Sequence, residues 1–140
     1  MQRYTLFKVF GLVLLTQVTL VLISIAEVFV YSLINPGHEQ AVYESHAEAS
    51  APWISGIFGF ILFFLVSLYW TRKQLPNARR LALLFPLVYV VWDLVVLMIF
   101  GVPDWMAFLP IFILANAAKF LGSLAGHYLN KATPPGPAQG

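Results

Sequence analysis

Three ionisable residues, Glu27, Asp93 and Lys119, stand inside otherwise apolar stretches of a 140-residue chain. A charge in a membrane span costs about 2.5–3.5 kcal/mol on insertion scales, so such a residue faces protein or water and needs a partner. Lys119 belongs to the run FLPIFILANAAKFLGSLAGHY, in which Asn116, Lys119, Ser123 and His127 recur at steps of three, four and four. At about 100° per residue these four form one polar stripe along a helix. Gln17, Ser24, Glu27 and Tyr31 recur at steps of seven, three and four and share a face in the same way. Asp93 is the only charge in its own apolar run, with Tyr89 one turn before it.

Two carboxylates and one lysine leave one negative charge over. The surplus carboxylate needs a proton, a cation or a positively charged ligand. Such a set suits a proton relay, the anchoring of an amine, or acid–base chemistry on an apolar substrate in a dry pocket. The candidate catalytic residues are therefore Glu27 and Asp93. The candidate ligand-binding residues are Gln17, Ser24, Glu27, Tyr31, Phe63, Tyr89, Trp92, Asp93, Asn116 and Lys119, with Trp53, Trp92 and Phe63 as aromatic walls. The structural alternative is a lock, with Asp93 and Lys119 fixing the register of adjacent helices, or Lys119 snorkelling to the nearer surface.

The elements that must position these residues follow from composition. The chain is 60% hydrophobic and 10% charged, against about 25% charged in a soluble domain. Four spans of about 20 residues fill it, at about 7–34, 52–70, 81–101 and 105–128, as one domain over 1–130 with a disordered tail over 131–140. The first run is too long for the apolar region of a signal peptide. Asn35-Pro36-Gly37 stops it. A loop over 35–50 follows, with a short surface helix expected over 41–49. Ala51-Pro52-Trp53 opens the second span, proline in the first turn and tryptophan at headgroup level. Gly56, Gly59, Phe63 and Ser67 share its inner face. Pro86 kinks the third span, and a tight turn at 101–105 leads into the fourth. Arg3, Lys8, Arg72, Lys73, Arg79, Arg80 and Lys131 collect on one side of this arrangement, and no Lys or Arg on the other. The expected fold is an all-α integral membrane protein, a four-transmembrane-helix bundle with N and C termini cytoplasmic, multi-pass in the cell membrane.

The absence of cysteine excludes disulfides, iron–sulfur clusters and thiolate metal sites. No cofactor and no metal is expected; His38, His46 and Glu48 are the ligand-type residues of the outer loop, at a spacing that matches no zinc pattern. His127 would hold haem only with a ligand from a second chain or a non-histidine ligand. No phosphate-cradling loop is present, and the basic segment 71–80 suits anionic lipid headgroups, with no nucleic acid among the partners. Gly122 and Gly126, with Ala118 one turn earlier, permit close helix contact within the bundle or between copies. The expected function is a polar intramembrane site in an inter-helix pocket, open to the outer side, that binds a small apolar or amine-bearing ligand and transports or converts it. The alternatives are an accessory subunit of a larger membrane complex and a homodimeric proton- or cation-coupled transporter. Expected partners are membrane lipids, that ligand, and a second copy or a larger complex.

Overall fold

Among the described residues the chain forms four helices: α1 (Gln2–Ile34), α2 (Gln40–Arg72), α3 (Ala78–Phe100) and α4 (Trp105–Lys131). The computed structural model describes residues 2–73, 77–102 and 104–131, with side chains between 6 and 129. The tail expected to be disordered falls outside these residues, apart from the last helical position. Each helix contains a stretch long and apolar enough to cross a membrane: Leu6–Ile34, Gln40–Arg72, Ala78–Phe100 and Trp105–Leu129. Their outward faces are covered by large apolar side chains such as Leu22, Phe29 and Met98. Apolar surface of that extent is far beyond what a water-soluble monomer carries.

The helix ends follow local chemistry. Gly37 and Gly101 adopt φ of +85° and +79°, a conformation open to glycine at no steric cost. Gly101 donates its N–H to the Leu97 carbonyl at 2.8 Å and so closes α3. Asp104 caps α4, its Oδ1 accepting from the N–H groups of Met106 and Ala107 at 3.0 and 3.2 Å, as an N-cap carboxylate does.

One expectation is corrected. Residues 41–49 do not form a separate surface helix, and Pro52 is not in a first turn. α2 begins at Gln40 and runs unbroken through Pro52. Nothing in QAVYESHAEAS breaks a helix, and one proline removes only one backbone bond. The connection between α1 and α2 therefore shrinks to residues 35–39.

The helices pack in the cyclic order α1, α2, α4, α3, with α1 and α4 out of contact and α2 reaching across to α3. That contact is aromatic: Phe63 stacks on Phe85 at 4.2 Å, with Tyr89 and Trp70 edge-on to this pair. With Val9, Val13, Leu20 and Leu81 they form the core. α2 and α4 run parallel, since Ser55, Ser67 and Thr71 meet Lys119, Ser123 and His127 in the same order. They approach so closely that a Cβ on Gly122 would collide with the Phe60 carbonyl oxygen, and one on Gly126 with that of Phe64. The small-residue spacing thus serves contact within the bundle.

Pro86 lies inside α3 and has no N–H for the Ala82 carbonyl. Ser123 supplies the missing donor from α4, its hydroxyl 2.6 Å from that oxygen. This is how a neighbouring helix re-satisfies a broken backbone ladder in an apolar setting.

Candidate functional site

The polar stripe of α4 faces the interior along its whole length. Asn116, Lys119, Ser123 and His127 are all buried. Gly59 makes room for the lysine: a Cβ there would lie 2.9 Å from Cγ and Cε of Lys119. The lysine stem passes over this glycine, and its Nζ donates to Ser55 Oγ at 2.8 Å, one turn earlier in α2. Helix side chains lean toward the N-terminus of their own helix, which carries the ammonium toward Ser55. Lys119 is 1% exposed, so it does not snorkel to the surface.

Around the ammonium the other helices contribute in turn. The Tyr89 ring lies with its centroid 4.6 Å from Nζ, a cation–π arrangement. The Tyr89 hydroxyl donates to Gln17 Oε1 at 2.5 Å. Asp93 stands beside the Asn116 amide and within electrostatic reach of Lys119. It is the one partly exposed member among Asp93, Asn116 and Lys119. A single polar centre thereby ties α1 (Gln17), α2 (Ser55), α3 (Tyr89, Asp93) and α4 (Asn116, Lys119). Asn116 Nδ2 donates to the Phe112 carbonyl at 3.0 Å, while its Oδ1 is buried with no hydrogen-bond partner among the described residues, as is Trp92 Nε1.

Below the centre, toward the termini, runs a seam of hydroxyls. Ser123 gives its proton to Ala82, so Ser67 is the donor in the 2.6 Å contact between the two serines. Thr71 Oγ1 donates to the Ser67 carbonyl at 2.9 Å and also meets His127 Nδ1 at 2.9 Å.

Glu27 is elsewhere. Its Oε1 is 2.6 Å from His46 Nε2 and its Oε2 accepts from Ser50 Oγ at 3.0 Å. Tyr31, one turn along α1, stacks on the His46 ring at 3.6 Å and 6°. Tyr43 donates to the Asn35 carbonyl at 2.8 Å. These contacts clamp α1 to α2 at the end of the bundle that holds the α1–α2 and α3–α4 turns. The sequence grouped Glu27 with Asp93 and Lys119; the extension of α2 places His46 and Ser50, one turn apart, where they claim its carboxylate first.

The remaining candidates divide. Gln17 and Tyr89 join the centre, and Tyr31 joins the clamp. Ser24 is half-buried on α1. Phe63 is fully buried in the aromatic core, and Trp92 packs edge-on to Phe10 at 5.6 Å. Trp53 is no interior wall: it is 68% exposed and lines an external groove between α2 and α4. His38, His46 and Glu48 go three ways, to Tyr43, Glu27 and that groove respectively. Among the described residues no three ligand-type side chains converge as a metal site would require.

Ser55 and Ser50 were missed. Ser55 lies one helical turn before Gly59, so the lysine-receiving face of α2 was readable. Ser50 lies one turn after His46, a relation visible only once residues 41–50 are taken as helix. Thr16 was missed too; it is buried on α1 with Val9, Val13 and Leu20, at steps of four, three and four.

Compared with known protein families, with characterised proteins and with solved structures, the chain gives no significant match in any of the three.

Proposed function

We propose that the chain is a multi-pass protein of the cell membrane, both termini cytoplasmic, whose polar centre binds an apolar molecule through one neutral carbonyl or hydroxyl group. The orientation rests on the basic residues, which gather at the terminal end and are absent from residues 35–50. The ligand class rests on charge. With Glu27 held at the clamp, the centre contains one Asp and one Lys, and no surplus acid calls for an amine there.

The observation that carries the reading is the Asn116 amide. Among the described residues its Oδ1 is an acceptor without a partner, on a residue 5% exposed, and native structures leave few such atoms unused. Beside it, the Lys119 ammonium has three N–H donors and one hydroxyl acceptor. A hydroxyl can give to Asn116 and a carbonyl can take from Lys119. Asp93 is the partly exposed member of the centre, and a ligand would approach from its side.

Native mass spectrometry of gently extracted protein tests this. A reproducible small-molecule mass is expected on the wild type and on Glu27→Gln, and it disappears in Asn116→Leu while the thermal midpoint is kept. A wild type without bound mass, or an Asn116→Leu that retains it, refutes the site. The second reading, an accessory subunit, draws on the Ser67–Ser123–Ala82 seam, where polar groups are used up between helices. It predicts other polypeptides in the same spectrum.

A further inference from the structure

The α2–α4 pair has a second face, turned away from the polar centre. There a groove of about 510 Å³ runs between the two helices. Gly56, Ala115 and Ala118 form its half-buried floor, and the exposed Trp53, Phe60 and Leu114 its walls. From Glu48 to Phe60 it extends for about 18 Å at 1.5 Å per residue. One leaflet of a bilayer is about 15 Å of hydrocarbon. The groove therefore matches a single alkyl chain reaching from the membrane surface to the midplane.

Its outer end is acidic and acceptor-rich. Glu48 lines it with an exposed carboxylate. Gln40 engages Glu44 at 2.6 Å and His46 engages Glu27; Glu48 has no such partner among the described residues. Pro52, also in the lining, has no N–H for the Glu48 carbonyl four residues earlier. Pro86 poses the same problem in α3, and there Ser123 answers it; Pro52 leaves the carbonyl of Glu48, a lining residue, without that intrahelical donor. Residues 35–50 carry Glu39, Glu44 and Glu48 and no Lys or Arg. A phosphate headgroup would find no cation here, whereas an ammonium would find a carboxylate and a carbonyl.

We propose that this groove binds a single-chain cationic amphiphile, its alkyl chain on the Gly56–Ala118 floor and its ammonium at Glu48. The proposal needs the helices to enter a bilayer, and it is independent of any ligand at the polar centre.

The test uses the full chain reconstituted in phosphatidylcholine nanodiscs. The probe is a long-chain primary amine brominated in its chain, with the matching brominated alcohol and brominated phosphatidylcholine as comparisons. Trp53 fluorescence is read as the difference between wild type and Trp53→Phe. The amine is expected to quench Trp53 saturably at concentrations where the other two do not. Glu48→Gln weakens it about fivefold, the upper range for an exposed charge pair, while Glu44→Gln, one turn before Glu48 and outside the lining, changes it less than about twofold. Ala118→Leu removes the saturable component by filling the floor. Equal quenching by alcohol, phospholipid and amine overturns the proposal, as does equal weakening by the two glutamate variants. A cross-linked dimer that shields Trp53 from every probe overturns it in favour of a second copy. A chain that fails to co-purify with lipid overturns the membrane reading, and the groove with it.

Discussion

Glu27 and Asp93 are both acids set among apolar helix residues, and the molecule handles them in opposite ways. Glu27 spends both oxygens at short range on His46 and Ser50, at a clamp where the glutamate and histidine side chains are 35% and 27% exposed. Asp93 faces a lysine that is 1% exposed and has its own hydroxyl partner in Ser55. At the clamp both side chains are partly exposed, so a contact that breaks does not leave a sealed charge. At the centre, removing one charge strands the other in an apolar interior. The same pairing of acid with base is therefore a local fastening in one place and a condition for packing in the other.

The sharpest way to break this contrast is through the glycines that bring α2 to Lys119. Gly126→Val places a side chain against the Phe64 carbonyl, backbone that has nowhere to go, and should cost about 3 kcal/mol or more. Gly56→Ala, whose Cβ would sit 3.9 Å from Ala115 Cα, should be nearly neutral. Thermal unfolding in detergent separates the two, and equal effects would mean that α2 and α4 are not closely packed.

Lys119→Met leaves Asp93 without its cation and should destabilise by about 3–5 kcal/mol, with much of the loss recovered in Lys119→Met/Asp93→Asn. A double variant no better than the single would separate the two residues energetically.

Next in size is Ser123→Ala, which orphans the Ala82 carbonyl, at about 1–2 kcal/mol. In a Pro86→Ala background, where residue 86 regains its N–H, that penalty should shrink. An unchanged penalty would show that Ser123 does not serve the proline break.

The smallest effect is expected at the clamp. Glu27→Gln should change global stability by less than about 1 kcal/mol, yet speed hydrogen exchange around residues 31–43. Combined with Lys119→Met it should be additive within about 0.5 kcal/mol, as for separate sites. Strong coupling would restore the single site that the spacing of residues suggested.

Much of this architecture is legible in the residues themselves. The α4 stripe faces inward as its three-and-four spacing requires, because Asn, Lys, Ser and His on one side of an apolar helix have nowhere else to go. Gly59, Phe63 and Ser67 likewise share the inner face of α2, whereas Gly56, expected with them, is half-buried on the external groove. The grouping of acids failed at Glu27 for a specific reason. Asn35-Pro36-Gly37 and Pro52 read as two ends of a long loop, yet helix-forming residues between them carry α2 back beyond the proline. That adds a little over three turns to α2 and delivers His46 and Ser50 to Glu27. Ser55 was hidden differently: periodicity reports which face a residue occupies, not which neighbour a lysine will choose. The parallel pairing of α2 with α4 was beyond spacing rules too, since turns identify only sequential neighbours.

That pairing has a consequence in time. Ser55 waits for Lys119 across 64 residues, roughly 3–13 s of synthesis at 5–20 residues per second. Through that interval the glycine and serine face of α2 is already made while the helix that covers it is not. The fourth span must bring a lysine to an acceptor prepared well before it. A chain interrupted ahead of residue 119 is left with an open seam of the right shape for the fourth helix of another copy.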